Sequence, residues 1–65
     1  MREYKLVDLY NDDVVYHGNN LGAAKIAFWG YEYETEGDWI PLLGYRDSEN
    51  ERYHIVDNVW KFLNI

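Results

Sequence analysis

Short apolar runs separated by polar breaks divide this chain into strand-like and helix-like segments. Tyr4 to Tyr10 (YKLVDLY) is rich in β-forming residues, and Asn11-Asp12-Asp13 follows as a turn signal. Val14 to His17 then reads as a second strand, so the two runs predict a hairpin. Either Tyr4, Leu6 and Tyr10 or Val7 and Leu9 can supply its inner face, because a register change of one residue exchanges the two sets. Gly18-Asn19-Asn20 breaks the sheet and offers Asn as a helix N-cap.

From Leu21 to Glu36 the period changes to that of a helix. Leu21, Ala24, Phe28 and Tyr31 line one side, widened by Ala23 and Ala27. Ile26, Trp29 and Tyr33 form a second apolar stripe well around the helix. One stripe suffices to pack on a sheet. The other must meet a second layer, a second copy or another protein. Gly22 and Gly30 each weaken the helix by roughly 1 kcal/mol relative to Ala. Gly30, beside Ala23 and Ala27, is read as a mark of close helix–sheet approach. Gly37 is the expected C′ residue.

Trp39 to Tyr45 (WIPLLGY) predicts a third strand, placed at an edge or pairing only after Pro41, which lacks an N–H. A polar turn, Arg46 to Glu51, leads to a fourth strand over Arg52 to Val56. The tail from Asp57 to Ile65 has two readings. Asp57 caps a short helix burying Val59, Phe62 and Leu63, or Val59 to Leu63 forms another strand; the helix is preferred. The expected architecture is therefore one α+β domain over residues 1–65, ordered ββαββ. It has an antiparallel sheet, one main helix on one face and a short C-terminal helix. A sheet covered on one side leaves its other face open.

Length and composition narrow the functional classes. A chain of 65 residues buries only about 60% of its unfolded surface, and without Cys it has no disulfide to staple it. Seven Tyr, three Trp and two Phe make 18% of the chain. They build a core, and the surplus falls on the surface, where Tyr and Trp are enriched at interfaces. Twelve acidic residues against six basic ones give a net charge of −6. That opposes direct binding to nucleic acid or to anionic membranes. No run approaches the ~20 apolar residues of a membrane helix. The short apolar run after Met1-Arg-Glu-Tyr-Lys is broken by Asp8, unlike a signal peptide. A cytoplasmic protein is expected, and brevity alone suggests a bacterial or phage type.

Catalytic chemistry has few carriers here. The lone Ser, Ser48, lies in a turn of acidic and amide residues and reads as a turn hydrogen bonder. His17 and His54 lie in predicted strands far apart in sequence; they could meet across the sheet, but no metal-ligand spacing accompanies them. Glu34-Thr35-Glu36-Gly37-Asp38 is at best a fragment of a calcium loop. No Gly-rich phosphate loop is present. Asp8 is expected on the open sheet face, since isolated buried carboxylates are costly. No catalytic, cofactor-binding or metal-binding residues are therefore assigned.

Glu32, Glu34, Glu36 and Asp38 cluster at the electronegative end of the helix, against the macrodipole preference. A basic partner would relieve such a cluster. The sequence thus leads to a small acidic, non-enzymatic protein–protein interaction domain, an accessory or inhibitor protein that binds another protein or a second copy of itself. Ile26, Trp29 and Tyr33 are the expected anchors, with Glu32, Glu36 and Asp38 as a polar rim. The alternative is an acidic nucleic-acid mimic that blocks a nucleic-acid-binding protein. Its binding would weaken steeply with salt.

Overall fold

Along Glu3–Asp8, the first strand (β1), every second residue is buried: Tyr4, Leu6 and Asp8 point inwards. This alternation selects the Tyr4/Leu6 set for the inner face and sends Val7 outwards. Tyr10, grouped with that inner set from the sequence, lies beyond the strand and is largely exposed. The computed structural model describes residues 1–64, so Ile65, the last residue of the tail, lies outside them. After β1 come β2 (Asp13–Gly18), α1 (Leu21–Thr35), β3 (Pro41–Arg46), β4 (His54–Ile55) and α2 (Val59–Phe62). The fold is α+β, ordered ββαββ, with one main helix and a short C-terminal helix.

The four strands form one antiparallel sheet in the order β2-β1-β3-β4. Leu6 lies opposite Leu43 on one side and Tyr16 on the other, and Tyr4 lies opposite Tyr45. Residues opposite one another share a face, so these form the floor of the core. β3 is central rather than at an edge. Its pairing starts at Pro41, opposite Asp8, where a first strand residue tolerates the missing N–H. Trp39 is therefore not a strand residue. It turns into the core, buried against Phe28 with ring centroids 5.3 Å apart. β4 is shorter than the run Arg52–Val56 expected from its β-forming residues. One further backbone bond, from Val56 N–H to Leu43 O at 2.9 Å, extends its pairing.

Helix α1 starts where Asn20 caps it, the side chain accepting from the Ala23 N–H at 3.1 Å. Phe28 and Ala24 are fully buried beneath it. Phe28 is the hub of the core: Trp39 reaches it from the linker and Trp60 of α2 meets it edge-on at 5.8 Å. The left-handed C-terminal turn falls one residue earlier than the glycine suggests. Glu36 takes φ 56° and Gly37 follows at 79°. The Gly37 N–H returns to Glu32 O and the Glu36 N–H to Tyr33 O, the Schellman pairing. Gly30 does not mark a close approach. A Cβ there would meet nothing within 4 Å, because Gly30 lies on the exposed side of the helix.

In the tail, Val59–Phe62 is helical. Asn58, not Asp57, caps it, accepting from the Lys61 N–H at 3.1 Å. Val59 and Leu63 are buried and Phe62 packs against the core. Among the described residues, no helix is long and apolar enough to cross a membrane.

Candidate functional site

The residues singled out on α1 occupy its outer side. Ile26 is 76% exposed and Tyr33 85%, so no second layer of the described chain covers them. Trp29 differs from both. It is 37% exposed, its ring stands edge-on to Phe28 at 4.9 Å, and its Nε1–H points to Leu63 O at 3.4 Å. Trp29 thus joins the helix to the C-terminal segment while staying partly open to the surface. Ile26 and Tyr33 are the open ends of the stripe.

The acidic group also divides. Glu32 accepts a hydrogen bond from Trp39 Nε1–H at 2.6 Å, which locks a core indole and engages one carboxylate oxygen. Glu36 and Asp38 are exposed beyond the helix end. Tyr10, Gly37, Asp38, Trp39 and Ile40 line a shallow cleft of about 350 Å³ there. Among the described residues, both non-glycine residues with positive φ, Asp12 and Glu36, are acidic. Asp tolerates that conformation more readily than Glu does.

Asp8 is the clearest departure from the sequence expectation. It lies on the covered face, 2% exposed, not on the open one. Three donors make this tolerable: the Tyr10 N–H at 2.9 Å, the Tyr31 hydroxyl at 2.8 Å and the Ile40 N–H at 3.4 Å. Burial pushes its carboxyl up, but these bonds outweigh burial and leave it below the ordinary value. The same bond holds the Tyr31 phenol above its ordinary range. Asp8 ties the end of β1 to the helix and to the start of β3, with both oxygens engaged.

The far face of the sheet carries two different surfaces. Towards the chain start, Glu3 bonds Arg46 Nε at 2.6 Å and also bonds His17. Arg46 lies over the Tyr53 ring at 4.5 Å. Tyr53 covers Gly44 so closely that a Cβ there would sit 3.1 Å from its own. The Arg46 and His17 contacts hold the Glu3 carboxyl down at about 2. Towards the other end, Val7 lies opposite both Val14 and Leu42. The backbone bond from Leu9 N–H to Ile40 O, at 2.8 Å, carries the pairing one step further. By alternation Leu9 and Ile40 join Val7 and Leu42 on this face. Leu9, Val14 and Ile40 are each about half exposed. The alternation of Val7 and Leu9 was the sequence signal for this strip.

His17 and His54 belong to strands at opposite edges of the sheet; His54 stacks on Tyr45 at 5.4 Å. Among the described residues, no group of three or more His, Cys, Asp or Glu is arranged to hold a metal ion. Comparison with protein-family models, curated proteins and solved structures gives no match.

Proposed function

We propose that this chain is a small, non-enzymatic protein–protein interaction domain acting in the cytoplasm, as an accessory or inhibitor protein or as a homodimer. The observation that carries this reading is the outer side of α1. Ile26 and Tyr33 lie in open solvent at helical spacing while the opposite stripe already fills the core. Large apolar side chains beside a charged rim have the anatomy of an interface centre. Glu36 and Asp38 supply the rim; Glu32 is partly committed to Trp39.

A photo-crosslinking amino acid at Tyr33, introduced in living cells, tests the reading. The expected result is a discrete crosslinked product, either a homodimer or a complex with one other protein, identified by mass spectrometry. The same group at Glu49, an exposed turn residue, serves as control. No product at Tyr33, or the same products from both positions, overturns the reading. Tyr33 suits this test better than Trp29, whose removal would also loosen the C-terminal segment from Phe28.

A further inference from the structure

We infer that the shallow cleft beyond the end of α1 receives an arginine side chain from another protein. This deepens the interaction reading, and rests on it for the kind of partner, because Asp38 of the proposed rim lines the cleft. The cleft lies where the turn after β1 meets the segment between α1 and β3, and Tyr10, Gly37, Asp38, Trp39 and Ile40 line it. At about 350 Å³ it is at the small end of ligand sites, the scale of one long side chain. Its two sides are fixed from beneath. Asp8, itself buried, accepts from the backbone N–H of Tyr10 at 2.9 Å and of Ile40 at 3.4 Å. The bond from Leu9 N–H to Ile40 O closes the same junction. The lining is thus in place before a partner arrives, which lowers the cost of binding.

Charge selects the occupant. Asp8 is held by neutral donors alone, two backbone N–H groups and the Tyr31 hydroxyl. Among the described residues no Lys or Arg pairs with it. A carboxylate held only by dipoles keeps its full charge, and its low-dielectric surroundings carry that field to the cleft. The Tyr31 phenol beside it is raised first by the Asp8 bond, and the charge of Asp13 acts in the same direction. Asp38 adds an exposed carboxylate that has no ion-pair partner among the described residues. No Lys or Arg occurs between Asp8 and Ala24 or between Ile26 and Tyr45, the stretches that build this end. Lys25 lies about 15 Å back along the helix from Thr35. Lys5 lies three residues back from Asp8, opposite His17 and Gly44. Among the described residues no three His, Cys, Asp or Glu gather to hold a metal ion, so the cation that fits is organic. A guanidinium is planar, stacks on an aromatic ring and gives a carboxylate two N–H groups, while its stem lies along apolar surface. Tyr10, Asp38 and Ile40 supply one partner for each of those contacts.

The test is an NMR titration of the isotopically labelled full chain with a blocked peptide, acetyl-Gly-Arg-Gly-amide. The same peptide carrying citrulline, the uncharged isostere of arginine, serves as comparator. The arginine peptide is expected to bind about ten-fold more tightly than the citrulline one, with its largest shifts at Tyr10, Gly37, Asp38 and Ile40. Asp38→Asn, an exposed change, is expected to weaken binding by about ten-fold while the chain still melts cooperatively; Tyr10→Ala provides an independent check. Equal binding of the two peptides overturns the proposal. So do shifts spread over the exposed acidic residues with no focus on the cleft, or undiminished binding in both variants. Free arginine binding about ten-fold more tightly than the blocked peptide would name a small molecule as the source and also overturns it. A failed titration beside a discrete Tyr33 crosslink strikes the arginine cleft alone. A failed crosslink beside arginine seated in the cleft strikes the helix-face reading alone.

Discussion

The two faces of the sheet are made from alternate residues of the same strands, yet they are finished differently. The covered face places Tyr4, Leu6 and Leu43 under Phe28, and its one carboxylate, Asp8, has donors on both oxygens. The open face is half closed by its own side chains, where Tyr53 and Arg46 lie over Gly44 and Glu3. Its other half is bare aliphatic surface. Within a chain this short, apolar area left uncovered is area withheld from stability. The covered face holds the fold together, and the bare half is the part of the sheet left open to solvent.

The largest effect is expected where the covered face is centred. Phe28→Ala removes the ring that Trp39, Trp29 and Trp60 all meet. A loss of about 3–5 kcal/mol is expected in urea denaturation. For a domain of this size that leaves little folded population at room temperature. Retention of a cooperative transition near that of the parent would mean that the core is centred elsewhere.

Acid titration probes a charge on each face. Glu3 is held at about 2, against an ordinary value of 4.5, by its contacts with Arg46 and His17. Its pKa is lowered in the folded state, so its stabilising contribution is complete above about pH 4.5 and disappears as pH falls towards 2. Asp8 is displaced in the same direction. The melting temperature should therefore decline through that window. Glu3→Gln should melt lower at neutral pH and show a shallower decline on acidification. An unchanged acid profile in that variant would show that the open-face ion cluster contributes nothing to folding.

The smallest effect is expected on the helix surface that neither face uses. Gly30→Ala meets open space on the exposed side of α1 and should raise stability by about 1 kcal/mol. A loss instead would mean that the backbone at Gly30 needs the missing side chain.

Much of the fold was legible because it depends on local periodicity. The hairpin, the Asn20 cap, the fourth strand and the helical tail follow from residue order and short-range preference. Two features were hidden by a correct rule applied alone. Asp8 was assigned to the open face because buried carboxylates are costly, but its Tyr31 and Ile40 donors are remote in sequence. The helical position of Trp29 marks it as an anchor, and only the folded chain shows that its ring also lies against Phe28 and that its N–H points to Leu63, beyond the end of α2. For the proposed interaction site, helical spacing located Ile26 and Tyr33. The aliphatic strip needed the pairing of three strands to appear as one surface.

By itself, the sequence determined the elements, their order, the acidic balance and the two apolar stripes of α1, since all of these follow from propensity and spacing along one chain. Only the tertiary structure decided which hairpin face is inside, that β3 is central, and that Glu32 and Asp8 are held by distant donors. Those outcomes depend on strand register and on partners far apart in the chain. A shift of one residue in pairing would reverse every inward and outward position while leaving the local pattern unchanged.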